Sequence, residues 1–487
     1  MRFKKFMQFF IVAALAIGLM TACNDTPDPG NTGGRDNPNP TVEGETQGGG
    51  ENTGGGGGGM SYDLCPCNDP TRDLGGAHVI LGNWWQGPPT PPTTQYAEDT
   101  EAYRNMIQEK HNFTIVEERI ATYDSMPDIA TLSFMSGDPA ASIFTLDSSD
   151  TMSMFRRGVF YPLSDAPSFN PYDEKWNQLV VESMTFDDVV YGFAHGYEPR
   201  GGVFFNKNVL EEAGIDPESI YDHQAANTWT WDVFNEMCRT VTRDTTGNGE
   251  IDVFGITAFH TRTLDAALAS NNARYVGRDA DGRFFNASLS NEFLEAAVFV
   301  HNLAMNGFVR PEPDGVEWNW FIEGFNEGNA AFRIAEEHSK SDLRDVSFDW
   351  GFVFFPRGPQ NDRVISTYRE NIRFVPANGF TPQEVDDILF AFDLFTERTP
   401  GWEDDEMAWK YGAYPDYRDL RAVDETLAMM STGANGNLSL EPYIIGFQTG
   451  RVSWDIWNPE YTPMELIEGA RAEWESFIDA ANVAYFG

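Results

Sequence analysis

The sequence predicts an α/β fold, and three observations support this class. Near the start of the body, short apolar runs typical of buried strands alternate with stretches of helical periodicity. This alternation favours parallel sheets whose strands are joined by crossover helices. The chain has 487 residues, of which 41% are hydrophobic, with 37 Phe, 17 Tyr and 13 Trp. Beyond its first 60 residues it is therefore long and apolar enough for two ordinary domains.

Local patterns place the individual elements. Strands are predicted at 78–85, 113–116 and 141–144, and helices at 100–110 and 126–136. Farther along, Gly214 is expected to end a helix in the left-handed conformation. Thr228 is expected to cap the helix that carries Trp231 and Phe234. These later elements continue the α/β pattern beyond the first sheet.

The chain begins with the pattern of a secretory signal. Basic residues precede an apolar run, and small residues lead from it to Cys23, which resembles the bacterial lipobox. The run is too short to span a membrane as a helix. We therefore predict a signal peptide over 1–22, lipid attachment at Cys23 and a disordered Gly-rich tether over 23–60. The protein would sit lipid-anchored on the extracytoplasmic face of the cell membrane. An ordinary signal peptide with an incidental cysteine is the alternative.

Charge and cysteine content exclude several classes of protein. A net charge of −42 argues against nucleic acid as a partner and against docking on anionic lipid through a basic face. Apart from Cys23, the cysteines are Cys65, Cys67 and Cys238, which is too few for a disulfide framework. Their spacing does not fit a zinc site, and their redox state stays open.

Five blocks of sequence resemble one known family. They lie at 137–165, 191–215, 228–234, 325–332 and 350–359. The most recognisable one runs from Phe205-Asn206-Lys207 to Gly214, and another reads Thr228-Trp229 at a helix start. In order and spacing these blocks resemble the extracellular solute-binding proteins (family 1, sugar type) of bacterial ABC importers.

The resemblance implies a two-lobed periplasmic-binding-protein-like fold of type II. Its α/β lobes would be joined by crossing hinge segments and would hold the ligand in the cleft between them. We place the first lobe at 77–200 plus 372–405 and the second at 201–371 plus 406–487. Lobes of this kind close on their ligand by hinge motion.

Trp84 and Trp85 are the first candidates for ligand contact. They follow the first strand, where the family commonly lines its cleft, and aromatic rings stack on the C–H faces of sugars. The alternative is that one ring packs on the core and the other covers the neighbouring Pro-rich turn. Asp147 and Ser148 follow the third strand, at another position where the family contacts ligand; here the alternative is a simple helix cap.

Further candidates lie at the crossings between the lobes. Glu198 and Arg200 would present a carboxylate and a guanidinium to sugar hydroxyls, or else pair with each other. His338 falls near the place of a stacking ring in family relatives, with a surface helix start as the alternative. The return crossing and the late aromatic residues add Tyr368, Arg369 and Tyr414. Trp318 and Trp320 are expected to pack in the core.

The segment 244–252 resembles a calcium loop. Its oxygen-bearing residues would be Asp244, Thr246, Asn248, Glu250 (through its backbone carbonyl) and Asp252. Gly249 occupies the sixth position, where a sharp turn is needed, but Gly255 stands where a bidentate glutamate belongs. The loop therefore predicts either a weak structural Ca²⁺ site or an ordinary Asx turn.

The sequence favours a binding protein over an enzyme. It contains no Gly-x-Ser-x-Gly elbow, His-Glu-x-x-His helix or phosphate-binding loop. We predict a monomer that captures a carbohydrate and delivers it to the permease subunits of an ABC importer, with no cofactor required. The alternatives are a binder of peptides or other polar solutes, and an extracellular carbohydrate-active enzyme.

Overall fold

The structure, a computed structural model, describes residues 69–198, 200–402 and 407–486. The predicted signal peptide, the lipidation site Cys23, the tether, Cys65 and Cys67 lie outside these residues. Cys238 is buried and carries a free thiol. Within the described ranges, no helix combines the length and the apolar character needed to cross a bilayer.

The strands are short, as expected for sheets covered by helices. They are β1 Ala77–Asn83, β2 Phe113–Arg119, β3 Ile143–Asp147, β4 Thr185–Phe186, β5 Val189–Val190, β6 Gly202–Asn206, β7 Phe254–Ala258, β8 Val276–Arg278, β9 Phe284–Asn286, β10 Ala330–Ala335, β11 Trp350–Phe354, β12 Ser366–Tyr368, β13 Asn371–Phe374 and β14 Gly436–Leu438. The strands predicted at 78–85, 113–116 and 141–144 are confirmed as β1, β2 and β3, with ends that differ by a few residues.

The helices alternate with these strands. They are α1 Gln95–His111, α2 Met126–Ser136, α3 Ser148–Phe155, α4 Gln178–Ser183, α5 Lys207–Glu212, α6 Glu218–Ala225, α7 Trp231–Val241, α8 His260–Ser270, α9 Asn291–Met305, α10 Phe321–Asn326, α11 Pro382–Phe395, α12 Lys410–Ala413, α13 Ala428–Met430, α14 Gly450–Asp455 and α15 Pro463–Phe486. Short 3₁₀ turns include Glu337–Leu343 and Glu441–Tyr443. The helices predicted at 100–110 and 126–136 are confirmed as α1 and α2.

The first lobe is built on a four-stranded sheet of order β13-β3-β1-β2. Strands β2, β1 and β3 run parallel, and β13, which arrives late in the chain, is antiparallel to β3. Helices α1 and α11 cover one face, where Tyr103 and Leu389 are buried, and α2 and α3 cover the other, where Met126 and Met152 are buried. Such coverage of both faces explains the nearly continuous apolar runs of β1 and β3.

The second lobe is built on a sheet of order β11-β6-β10-β7. Strands β7 and β10 are parallel to each other, and β6 is antiparallel to its neighbours β10 and β11. Its core continues into the C-terminal part of the chain, because Leu466, Trp474 and Ile478 of α15 belong to the same buried cluster. The chain crosses from the first sheet to the second before β6 and returns before β13, and the small parallel pair β12–β14 lies on the return path.

The two-lobed α/β class is therefore confirmed. The lobe boundaries given from the sequence stay a prediction.

Two local predictions have different outcomes. Gly214 does follow a helix in the left-handed region, with φ +78°, as predicted. Thr228 is not the N-cap of α7: Thr230 is, since its side chain accepts a hydrogen bond from the Val233 amide. Thr228 instead contacts His223 through its hydroxyl, 2.8 Å from Nδ1. The sequence offers two threonines two residues apart, and the start of the helix decides which one caps it.

Candidate functional site

The carboxyl ends of the parallel strands define the candidate site. In the first lobe β1 ends at Asn83 and β3 at Asp147, and in the second lobe β7 ends at Ala258 and β10 at Ala335. Ligands of open α/β sheets bind beyond such strand ends. Groups at these ends lie near each other: although burial lowers the pKa of Arg262, which follows β7 in the second lobe, the charges of Glu336 and of the first-lobe Asp147 help to raise it.

An aromatic cluster follows β1 and β2. Asn83 is buried, and its side chain accepts hydrogen bonds from the amides of Trp85 (3.1 Å) and Gln86 (2.8 Å), which shapes the turn that carries the two tryptophans. The Trp84 ring packs edge-on between Trp85, at 4.8 Å, and Tyr123, at 5.4 Å. Trp85 and Tyr123 remain 46% and 47% exposed, whereas Trp84 also packs on the core. The free ring faces are thus those of Trp85 and Tyr123.

Asp147 joins the first lobe to the return crossing. Its carboxylate accepts a hydrogen bond from the Ser149 amide, which caps α3, and lies 2.9 Å from Arg369 Nη2. Against the cost of burial, the charge of Arg369 and these hydrogen bonds lower the pKa of Asp147 to about 2. The helix cap that the sequence left as an alternative is present. The neighbouring Ser148 hydroxyl is buried without a hydrogen-bond partner among the described residues.

Arg200 is the centre of a charge cluster at the first crossing. Its Nη2 donates to Glu198 Oε2 at 2.7 Å, and its Nη1 lies 3.2 Å from His338 Nδ1 and 3.6 Å from Glu336 Oε2. Only 13% of the Arg200 side chain is exposed, against 40% for Glu198 and 60% for His338. Three predicted residues therefore meet here, and the pairing of Glu198 with Arg200 is one of the two roles the sequence allowed. The second-lobe member Glu336 was not among the predicted site residues.

Glu336 is balanced by a second arginine. Arg262, in the first turn of α8, lies 2.8 Å from Glu336 Oε1 and 3.1 Å from Asp265 Oδ2. Although burial alone would raise the pKa of Glu336, the charges of Arg262 and Arg200 lower it. A carboxylate held between two guanidinium groups stays ionised and can still accept hydrogen bonds from a hydroxyl-bearing ligand.

Glu370, on the return crossing, is a buried acceptor of hydrogen bonds. It is 1% exposed, accepts hydrogen bonds from the Glu198 amide to both carboxylate oxygens (3.0 and 3.1 Å), and accepts another from Asn177 Nδ2 at 3.0 Å. Burial and the charge of Glu198 raise the pKa of Glu370 to about 8. The carboxyl group therefore ties Asn177 and Glu198 to the return crossing while remaining largely protonated at neutral pH.

A second aromatic group follows β7. Phe259 packs against Trp318 at 5.6 Å, and His260 stacks on Trp457 at 4.8 Å with the edge of Trp454 at 5.0 Å. Burial lowers the pKa of His260 to about 4. Trp318 is 58% exposed, so the expected core packing of this residue is wrong, whereas Trp320 is buried as expected. Exposed rings therefore lie beyond the strand ends of both lobes.

A large cavity adjoins the strand ends of the first lobe. Its volume is about 1690 Å³, and it lies between the first sheet, with α1 and α11, and residues of the second core such as Trp409. Polar groups alternate with rings around it, including Asn83, Trp85, Arg104, His195, Arg373 and Trp402. The cavity exceeds the usual range of small-molecule sites, and an extended ligand of several rings would fit it.

Two residues that were predicted to contact ligand make contacts within the protein. Tyr368 is fully buried and donates its hydroxyl to the Met430 carbonyl, which excludes it from contact with a ligand in this structure. Tyr414 donates its hydroxyl to Asp424 Oδ1 at 2.7 Å and packs on the second core rather than with the Arg200 cluster. Alternation along a short strand cannot tell which face points into a cleft, so the sequence alone could not place Tyr368.

The segment 244–252 forms a loop closed by its own hydrogen bonds. Asp244 accepts hydrogen bonds from the amides of Thr246, Gly247 and Gly249, and Asp252 accepts from the Thr245 amide and hydroxyl. The charge of Asp244 acts on the pKa of Asp252, so the two carboxylates are close. In the described part of the chain, no group of three His, Cys, Asp or Glu residues is placed to hold a metal. With only two carboxylates, the loop could form at most a weak calcium site, and its occupancy by Ca²⁺ stays a prediction.

Sequence reasoning missed several residues that the fold brings to the site. Tyr123, Arg262 and Glu336 all follow strand ends, which is the signal that could have identified them once β2, β7 and β10 were assigned. Glu370 was passed over between Arg369 and Asn371, because nothing local distinguishes a buried carboxyl from an exposed one.

Fold and site together define a class of protein. Two α/β lobes, joined by crossing segments and carrying exposed rings and charged groups at facing strand ends, form the architecture of a hinged binding protein. Residues 102–382 match the family model described as "Bacterial extracellular solute-binding protein". The chain belongs to this family, as its sequence blocks suggested.

Similar proteins agree with this assignment. The chain is 23% identical over 271 residues to the polygalacturonan/rhamnogalacturonan-binding protein YtcQ of Bacillus subtilis (strain 168), a match that covers 53% of this chain and 52% of that protein. The chain thus spans about half the length of this curated relative. The fold resembles ABC substrate-binding protein Lmo0181 from Listeria monocytogenes in complex with cycloalternan, with a TM-score of 0.56 and 15% identity over 84% of this chain and 99% of that one. It also resembles the maltose/maltodextrin-binding domain MalE from Bdellovibrio bacteriovorus bound to maltotriose, with a TM-score of 0.55 and 14% identity over 83% and 100% of the two chains.

Proposed function

We propose that the protein is a lipid-anchored extracellular solute-binding protein that captures a carbohydrate, most simply an oligosaccharide, between its lobes. It delivers this ligand to the permease subunits of an ABC importer and does not transform it. The observation that carries the proposal is the pairing of exposed rings with ionised side chains at facing strand ends. Trp85 and Tyr123 offer ring faces in the first lobe, while Arg200, Glu336 and Asp147 offer hydrogen-bonding groups at the strand ends and the crossing.

The similar proteins support a carbohydrate in particular. Lmo0181 was solved with cycloalternan, MalE with maltotriose, and YtcQ is named for two polysaccharides. A ring of a saccharide stacks on an aromatic face, and its hydroxyls pair with carboxylates and guanidinium groups. Peptides offer fewer such faces, so they are the weaker candidates.

A thermal-shift screen tests the proposal most directly. The purified protein is heated with a panel of oligosaccharides and, in parallel, with a panel of short peptides. We expect a saccharide to raise the melting temperature in a concentration-dependent way, because binding to the native state adds RT ln(1 + [L]/Kd) to stability. Chromatography of the saccharide after long incubation then checks that it is unchanged. Stabilisation by peptides alone would refute the carbohydrate assignment, and cleavage of the sugar would refute the assignment as a binder.

The anchor and the calcium site are separate proposals. Cys23 carries the lipid, which predicts that cells fed labelled palmitate label the wild-type protein and not the Cys23→Ser variant. The loop 244–252 binds Ca²⁺ weakly through Asp244 and Asp252, which predicts that millimolar Ca²⁺ raises the melting temperature of the wild-type protein and not of Asp244→Asn. Equal behaviour of the two proteins in either assay would contradict the corresponding proposal.

A further inference from the structure

The large cavity contains two arginines whose charges the described part of the chain leaves unpaired. Arg104 comes from α1, and Arg373 comes from β13; both line the cavity. Neither forms an ion pair with any acidic residue that the structure describes, although the chain has 75 Asp and Glu residues and only 33 Lys and Arg. Other arginines of the described residues, such as Arg278 and Arg418, also form no ion pair, so the shared position of Arg104 and Arg373 in the cavity is what distinguishes them.

The packing of these two side chains fixes their guanidinium groups. The Arg104 guanidinium lies over the Phe395 ring at 3.8 Å, and its Nε is buried without a hydrogen-bond partner. Arg373 is paired in the sheet with Thr145, which also lines the cavity, and its guanidinium lies 5.9 Å from the Phe392 ring. Stacking on a ring covers one face of a guanidinium and leaves its N–H edge free to donate.

The other cations at the cavity are neutralised. Lys175 lies 2.7 Å from Asp393 and 2.5 Å from Glu397, and Arg398 lies 3.2 Å from Glu174. The remaining acidic groups near the two arginines act only at longer range. Glu117 acts on Arg104, and Glu370, itself largely protonated, interacts with Arg373.

A third titratable group lies close to these charges. His195 also lines the cavity, and burial together with the charges of Arg373, Lys175 and Arg104 lowers its pKa to about 4. His195 therefore lies close to these cations, although the carboxylates of Glu117, Asp173, Glu174 and Glu397 also line the cavity. Desolvating an unpaired guanidinium is costly, and a bound anion removes much of that cost.

We propose that the ligand is an acidic saccharide and that Arg104 and Arg373 receive its carboxylate groups. This inference rests on the proposed function, because it specifies the class of carbohydrate that the cavity selects. The fork of a guanidinium matches a carboxylate in a bidentate way, whereas a neutral sugar offers only hydroxyls. The rings of Trp85 and Trp402, which line the same cavity, supply faces for the sugar units between the acidic groups.

Isothermal titration with a matched pair of ligands tests the inference. The acidic probe is a trisaccharide of galacturonate, and the neutral probe is the trisaccharide of galactose with the same linkage. We expect the acidic probe to bind at least tenfold more tightly at low salt, with a preference that shrinks as salt is raised. Arg104→Gln and Arg373→Gln should each reduce the affinity for the acidic probe by about tenfold and change the affinity for the neutral probe by less than threefold. Arg363→Gln, at an exposed position outside the cavity, is the matched control and should leave both affinities unchanged.

The possible results are distinguishable. Equal affinity of the wild-type protein for the two probes, or tighter binding of the neutral one, would overturn the inference and leave the proposed carbohydrate function intact. Failure of either probe and of the whole saccharide panel to bind would overturn the proposed function itself. If a carboxylate of the chain itself already occupied the two arginines, the Gln variants would melt at lower temperature without ligand and would keep the wild-type selectivity, which also refutes the inference. Should a Gln variant not fold, Arg104→Lys and Arg373→Lys keep the charge, and a selective loss for the acidic probe remains the expected result.

Discussion

The carboxyl group of Glu370 makes a specific prediction about stability and pH. Its pKa in the folded protein is about 8, against an ordinary value of 4.5, because burial and the charge of Glu198 disfavour ionisation. Between these two pH values the unfolded chain has released this proton, whereas the folded protein keeps it. The free energy of unfolding therefore falls as pH rises across this window, and this loss is complete only above pH 8. Replacing Glu370 by Gln keeps a neutral group whose oxygen accepts the hydrogen bonds from the Glu198 amide and Asn177.

The size of the effect follows from the shift. One pKa unit corresponds to about 1.4 kcal/mol, so the free energy of unfolding should lose up to about 1.4 kcal/mol per pH unit through this group. From pH 5.5 to 7.5 the wild-type protein should lose roughly 2–3 kcal/mol that Glu370→Gln does not lose. Glu441, whose pKa burial raises to about 7, acts in the same direction but is present in both proteins and cancels in the difference.

Urea unfolding at pH 5.5 and 7.5, followed by tryptophan fluorescence, measures this difference. The stability of Glu370→Gln relative to wild type should rise by roughly 2–3 kcal/mol between the two pH values. Glu473→Gln, at an exposed position of α15, removes the same charge from the surface and should show no such change. An equal difference between Glu370→Gln and wild type at both pH values would refute the reasoning, since it would mean that Glu370 is ionised alike in the folded and unfolded states.

Three further predictions concern other parts of the site. Trp85→Ala should weaken oligosaccharide binding about tenfold or more by calorimetry while shifting the melting temperature of the free protein little, because the ring is half exposed; unchanged affinity would remove it from the site. Since the pKa of Asp147 is lowered to about 2, the wild-type protein should lose about 2 kcal/mol of stability between pH 4 and pH 2 that Asp147→Asn does not lose, measured by acid unfolding; parallel curves would contradict this. Because the pKa of His260 is lowered to about 4, the wild-type protein should lose roughly 3 kcal/mol of its free energy of unfolding as pH falls from 6.5 to 4. His260→Gln should flatten this part of the plot of stability against pH. A plot for the variant as steep as that of the wild type would show that the buried ring is not neutral.

The sequence predicted the elements of the fold better than the partners within the site. Strands and helices follow from patterns over neighbouring residues, and β1, α1 and α2 lie close to where those patterns placed them. The pairing of Asp147 with Arg369 joins residues 222 positions apart, and the contact of Arg200 with His338 joins residues 138 positions apart. No local pattern carries that information.

Errors in the predicted site have the same origin. Trp318 looked like a core residue because tryptophan usually is one, yet it is exposed at the second-lobe strand ends. Tyr368 looked like a cleft residue because of its place on the return crossing, yet its ring faces inward. Position along the chain identifies the crossing, but only the tertiary fold decides the direction of each side chain.

The contacts of the site divide into two kinds, and this division explains how a ligand can close the lobes. Glu370 and its hydrogen bonds to residues 177 and 198 lie along the crossing segments and hold the hinge. The exposed rings are divided between the lobes, with Trp85 following β1 of the first sheet and Trp318 packed on Phe259 after β7 of the second. A ligand that touches both rings interacts more strongly with the closed form than with the open form, and only such a difference in affinity can shift the equilibrium between them. An oligosaccharide, as proposed above, offers a continuous series of ring faces and hydroxyls for contacts with both rings.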